Sequence, residues 1–163
     1  MFTTLKFTTT VASAAVAVAT ITPAFAQMPT ADINVSDRPG SVTYTAGQTA
    51  VGKIRVFNNN AVVGKSSFGV TATIEPIAAS ILSLTPRGGS CVRGANGSQI
   101  CNLNRLDGQY AKFVEFDVAL SPSACANARN GQVKIATASV TAKTLDPNMA
   151  DNATSVYVKI SCQ

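Results

Sequence analysis

Histidine is absent from this 163-residue chain. That removes the side chain most often used as a general base near neutral pH, and the commonest nitrogen ligand for metals. The four cysteines, Cys91, Cys101, Cys125 and Cys162, include no Cys-x-x-Cys pair, so a zinc site is not expected. Charge is sparse, at 13% of residues. The basic side chains stand singly, from Arg38 and Lys53 to Lys143 and Lys159, with no run of like sign. That pattern reads as a solvated surface; loose affinity for anionic glycans or wall polymers is the other reading. Nucleic acid is not an expected partner, since aromatic and basic residues are not interleaved. After residue 26 no apolar stretch is long enough to span a membrane. Helical periodicity is missing from the same region.

What is present begins with "MFTTLKFTTTVASAAVAVATITPAFAQ". Lys6, a small apolar run from Val11 to Ile21, and the triplet Ala24-Phe25-Ala26 form the pattern of a signal peptide cut after Ala26. Residues 1–26 are therefore expected to be removed. Residues 27–163 are expected to form one exported domain of 137 residues (163 − 26), long enough to hide about two thirds of its unfolded surface. Without Lys6 its 12 basic and 8 acidic side chains leave a net charge of +4. Its expected location is the periplasm, the cell surface or the extracellular space.

An even cysteine count in an exported chain reads as two disulfides. Four cysteines allow three pairings. "GGSCVRGANGSQICNL" reads as a hairpin with Gly94 and Gly97 at its tip, which brings Cys91 and Cys101 together and leaves Cys125 for Cys162. By loop-closure entropy the first bond is worth about 3 kcal/mol and the second about 4 kcal/mol.

Between the turns, apolar residues alternate with polar ones. Ile54 and Val56 oppose Lys53 and Arg55; Val114, Phe116, Val118 and Leu120 oppose Glu115 and Asp117. Val133 and Ile135 oppose Lys134, and Val156, Val158 and Ile160 oppose Tyr157 and Lys159. Period two marks half-buried strands. Further strands are expected near Phe68–Ile74 and Ile81–Leu84, with Pro76 at the break and a helical turn near Ala78 and Ala79. The connectors "DRPGS", "TAGQT", "GANGS", "LDGQ", "NARNGQ" and "LDPN" carry the residues that tolerate turn dihedrals. About eight short strands so arranged predict a sandwich of two sheets.

Three stretches carry a resemblance. "ADINVSDRPGSVTYTAGQTAVGKIRVFNNN", "SILSLTPRGGSCVRGANGSQICNL" and "TLDPNMADNATSVYVKI" resemble, in order, the opening, the cysteine hairpin and the closing turn of a bacterial surface module. The family is the "domain of unknown function eleven" group of immunoglobulin-like repeats, close in character to cell-adhesion-related bacterial domains. The resemblance covers nearly all of residues 31–161. It implies an all-β, immunoglobulin-like antiparallel β-sandwich of about seven to nine strands, an extracellular location and no catalytic residues. The chain departs from the family in having one copy, in Asp151 where an asparagine is usual, in Ser90 where an aromatic is usual, and in the added Cys125 and Cys162. No wall-anchoring signal is expected after Gln163.

Asp146, Asn148, Asp151 and Asn152 crowd the stretch before the last alternating run. Calcium prefers carboxylate and carbonyl oxygens, which makes the four residues a calcium candidate. Two carboxylates from one turn are a thin set, and Asp and Asn commonly bond their own backbone to hold turns. The preferred reading is the hinge of a hairpin, with no metal or other cofactor. Asn34, Asn96 and Asn152 open Asn-x-Ser/Thr sequons, which carry no meaning in a bacterium. Glu75, Asp107, Glu115 and Asp117 are the carboxylates that could pair as in glycosidases, but Glu115 and Asp117 sit on a face that alternation marks as solvated. Tyr44, Tyr110 and Tyr157 are candidate recognition residues. The expected role is a non-enzymatic surface or periplasmic module for adhesion, binding an unidentified protein or cell-surface polymer. One rival is a self-associating pilus or filament subunit, with residues 27–40 as the donated arm. The other is a periplasmic small-ligand binding protein or hydrolase, which requires a deep pocket.

Overall fold

The computed structural model of the protein describes residues 30–60, 65–88 and 90–162. The expected signal peptide, residues 1–26, lies outside the described residues. Ten strands run along the chain: β1 (Ile33–Asp37), β2 (Thr43–Thr45), β3 (Thr49–Asn58), β4 (Ser67–Pro76), β5 (Ile81–Arg87), β6 (Cys91–Arg93), β7 (Gln99–Leu106), β8 (Ala111–Leu120), β9 (Gln132–Thr141) and β10 (Ala153–Ser161). The two sheets have the orders β1-β3-β8-β5 and β2-β10-β9-β4-β7-β6.

Alternation decides which side chains point inward, because successive Cβ atoms lie on opposite faces of a strand. Ile54, Val56, Val114, Phe116, Val118, Val133, Ile135, Val156, Val158 and Ile160 are all buried, and they join one core cluster drawn from both sheets. At about 25 cal/mol per Å² of apolar surface, this cluster is the main favourable contribution to folding. Phe116 is the largest fully buried side chain. It finds room because its cross-strand partner is Gly52. A Cβ at Gly52 would stand 2.3 Å from the Phe116 ring and 3.0 Å from Ile135 of the opposite sheet.

The strand count exceeds the seven to nine expected. β2 and β6 have three residues each, too few to display alternation in sequence. The sandwich is also not wholly antiparallel: β2 runs parallel to β10 through Thr43–Lys159, Tyr44–Ile160 and Thr45–Ser161. Near Ala78 and Ala79 the chain makes a single turn, with the Ser80 and Ile81 N–H groups donating to the Ile77 carbonyl in the i→i+3 and i→i+4 pattern of one helical turn.

Local chemistry explains the tight corners. Asn130 and Gly131, both at positive φ (51° and 70°), form a two-residue loop closed by paired bonds between Arg129 and Gln132, as an Asn-Gly hairpin requires. Asn58 is wholly buried at the end of β3. Its Nδ2 donates to the carbonyls of Lys65 and Leu106, each at 3.0 Å. Two disulfides, Cys91–Cys101 and Cys125–Cys162, staple the sandwich. The first joins directly paired residues of β6 and β7. The second ties the helical turn Ala124–Asn127 to the end of the last strand.

Residues 33–37, within the stretch considered as a donated arm, form β1 and pair with β3 of the same chain. The described part of residues 27–40 is thus the first strand of its own sandwich. The start of its far edge is engaged as well. The Ala31 N–H donates to the Leu145 carbonyl at 3.0 Å, and the Ile33 N–H to Asp146 Oδ2 at 3.0 Å. Such coverage protects an edge that would otherwise recruit another strand.

Candidate functional site

The four Asp/Asn positions do come together, at the connection between β9 and β10. Asp146 is its organiser. Oδ1 accepts from the Asn148 N–H at 2.9 Å, and Oδ2 accepts from Asn152 Nδ2 at 3.0 Å as well as from Ile33. Asn148 Nδ2 in turn donates to Asp151 Oδ2 at 3.1 Å. The turn is therefore a clip that fastens the last hairpin to the first strand. The Asp32 carboxylate approaches the same cluster and takes Asn59 Nδ2 at 3.0 Å. Asp32 Oδ1, Asp151 Oδ1 and Asn152 Oδ1 are buried without a hydrogen-bond partner. Desolvation, and then the nearby carboxylates Asp32 and Asp146, push the Asp151 carboxyl above its ordinary range. Among the described residues, no group of three or more His, Cys, Asp and Glu side chains is arranged to hold a metal ion.

The remaining carboxylates do not converge. Glu115 and Asp117 lie on the outer face of the four-stranded sheet, where Lys53 pairs with Glu115 at 2.8 Å and Arg87 with Asp117 at 2.7 Å. The hydrogen bond from Lys53 holds Glu115 below the usual carboxylate range. Asp107 sits in the β7–β8 turn, lowered by hydrogen bonds from Ser66 and Arg105. Glu75 stands exposed on β4. Exposed pairs of this kind add little to stability, because water and salt screen them. On the same outer face, Lys53 lies over the Phe113 ring at 4.7 Å and Arg55 over the Phe57 ring at 4.1 Å.

The tyrosines are separate. The Tyr44 hydroxyl accepts from the Val51 N–H at 3.2 Å and so serves the fold. Tyr110 and Tyr157 are exposed at different places. The Tyr157 N–H, freed at an irregularity in the β9–β10 ladder, donates to Asp37 Oδ2 of β1 at 3.0 Å. Burial pushes the Asp37 carboxyl up, against the lowering effect of that bond.

Sequence reasoning missed a groove on the open flank of the sandwich. There β5 ends the four-stranded sheet and β6 ends the six-stranded one. Between them lies a groove of about 490 Å³ whose lining includes Ile81, Leu82, Leu84, Pro86, Arg93 and Gln99. Leu82 is the extra residue of a bulge: Ile81 faces Leu120 and Ser83 faces Ala119, with nothing on β8 opposite Leu82. A bulge re-aims its side chain, and Leu82 is 71% exposed. Arg93 pairs with Gln99, whose buried side chain donates to the Leu84 carbonyl at 3.3 Å. Arg93 therefore shares the inward face with Gln99 and stands at the groove's polar wall. No acidic side chain among the described residues is in ion-pair reach of it. The sequence signal was the adjacent Ile81-Leu82, two apolar residues where alternation permits one.

In spatial order, β1-β3-β8-β5 fills the places of strands A-B-E-D of an immunoglobulin domain, and β10-β9-β4-β7-β6 those of G-F-C-C′-C″. The chain path reverses the C′-C″-D segment: after β4 it crosses to β5, then returns to lay down the edge strand β6 before β7. No family model matches the chain, and no curated protein matches it. Among solved structures, it is similar to the CARDB domain of a Pyrococcus furiosus protein in complex with di-metal ions. The identity is 11% and the TM-score 0.41, over 83% of this chain and 90% of that one. It is also similar to a cohesin module from a Clostridium perfringens family 33 glycoside hydrolase, at 14% identity and TM-score 0.41, over 80% and 98% of the two chains. The sixth cohesin of Acetivibrio cellulolyticus scaffoldin B gives 13% and 0.41, over 80% and 99%. These likenesses are too distant to transfer any residue's role. The protein is an all-β, immunoglobulin-like β-sandwich.

Proposed function

We propose that this chain is an exported, non-enzymatic interaction module of the bacterial surface or periplasm that works in adhesion or assembly. The observation that carries the reading is the open flank, where an exposed Leu82 borders a groove between two sheet edges. A rigid scaffold presenting an exposed apolar side chain beside such a groove suits recognition of another macromolecule. Two disulfides support an oxidising location. Among the described residues, no helix is long and apolar enough to cross a membrane. Glu75 and Asp107 stand apart from each other and from Glu115 and Asp117, which are each tied up in an ion pair, and that favours binding over hydrolysis. The reading is tested by placing a photo-reactive residue at Leu82, Phe113 or Tyr157 in living cells. Irradiation is expected to give covalent adducts of higher mass from at least one position. Unmodified protein from all three positions refutes it.

A further inference from the structure

We propose that the β5–β6 groove binds a short, extended, acidic peptide segment of a partner protein by adding it as a strand to β5. This inference rests on the interaction-module reading and names the partner's chemistry.

Three observations support it. The first is the edge itself. Groups on one residue of a strand point to the same edge and alternate along it. The Leu84 carbonyl is turned away from β8, onto Gln99. Beyond the bulge, the outward-facing groups are therefore the Leu84 N–H and the Pro86 carbonyl, while Ser83, Thr85 and Arg87 serve the ladder with β8. Pro86 has no N–H to donate, and it stands where the ladder asks for none. The second is length. With the Leu84 carbonyl already engaged and Pro86 lacking a donor, only a few residues of partner strand can pair. That favours a short docking segment over the open-ended pairing of a filament. The third is charge. Arg93 overhangs the groove without an acidic partner among the described residues, beside apolar Ile81, Leu82 and Leu84. An Asp or Glu flanked by small apolar residues complements that lining, because arginine forms directional, charge-assisted bonds to carboxylates.

The test uses the isotopically labelled, oxidised protein as isolated and two blocked pentapeptides, Thr-Val-Asp-Val-Thr and Thr-Val-Lys-Val-Thr. The Asp peptide is expected to give saturable amide shifts at Leu82, Leu84, Arg93 and Gln99, and to bind about tenfold more tightly than the Lys peptide. Arg93→Glu, an exposed substitution on a three-residue edge strand, is expected to reverse that preference while leaving the circular dichroism unchanged. Equal affinity for the two peptides, no saturable shift, or shifts confined to Tyr157 and Lys159 overturn the proposal. So does concentration-dependent dimerisation through the same residues, which identifies a second copy as the occupant. If the peptides fail while Phe113 or Tyr157 gives adducts in cells, this inference falls and the interaction-module reading stands.

Discussion

Replacing Asp146 with alanine tests what the Asp/Asn cluster is for. The carboxylate accepts three hydrogen bonds, from the Ile33 and Asn148 N–H groups and from Asn152 Nδ2. The Ile33 amide is the costly one to orphan, because Ile33 is only 1% exposed and water does not readily replace the lost acceptor. A buried donor left unpaired costs about 1–3 kcal/mol. The other two donors are nearer the surface, and losing their acceptor costs about 0.5–1 kcal/mol each. The expected loss is thus about 3 kcal/mol, which lowers Tm by about 10 °C for a domain this size. Asp146→Asn keeps an acceptor oxygen and is expected to lose about half as much. Urea unfolding followed by circular dichroism gives the stability, and hydrogen exchange of the Ile33 amide gives the site. The clip predicts that Ile33 loses protection in step with the global change, in the presence of a calcium chelator. A stable Asp146→Ala variant with Ile33 still protected refutes the clip. A wild-type stability that collapses on chelation instead assigns the cluster to a cation.

Gly52→Ala is expected to cost about 1–3 kcal/mol through overpacking against Phe116, and a second substitution, Phe116→Leu, should lessen that cost; a denaturant series on the double-mutant cycle checks it. Opening the Cys125–Cys162 bond by Cys162→Ser should remove about 4 kcal/mol, because the bond closes a separation of 37 residues. Non-reducing peptide mapping should recover Cys91 joined to Cys101, and recovery with any other partner contradicts the fold. Asp37 has a folded pKa raised above 3.8 by burial. The stability associated with its protonated form is therefore full below about 3.8 and lost as pH rises through the raised value. Asp37→Asn keeps an acceptor for Tyr157 and does not titrate, so its Tm relative to wild type should climb as pH rises above about 4; a difference that stays flat as pH rises refutes the assignment.

The inward faces of β3, β8, β9 and β10 were legible residue by residue, because apolar side chains on those strands recur at the pleat period. Exceptions arose where one strand slips against another. On β9, Ile135 and Ala136 are both buried, although alternation puts them on opposite faces; the irregularity opposite Val156 and Tyr157 turns both inward. On β5 the bulge at Leu82 sends an apolar side chain outward. Of the candidate site, the four turn residues adjoin in sequence, and hydrogen bonds among them hold the turn. Their attachment to Ile33 was invisible, because that bond spans 113 positions. Gly52 carried no signal of its role, since a glycine's reason lies in the ring that occupies its missing side chain.

The sequence by itself determined that this chain makes strands with one dry face, and where most of its turns fall. Those properties follow from side-chain direction and backbone dihedrals, which act over a few residues. The tertiary structure alone decided that β5 leaves β4 for the opposite sheet, that Asp146 fastens the last hairpin to the first strand, and that Arg93 and Leu84 line one groove on the open flank. Those outcomes depend on which strands pair over long separations, and pairing is settled by the whole core closing at once rather than by any segment's own pattern.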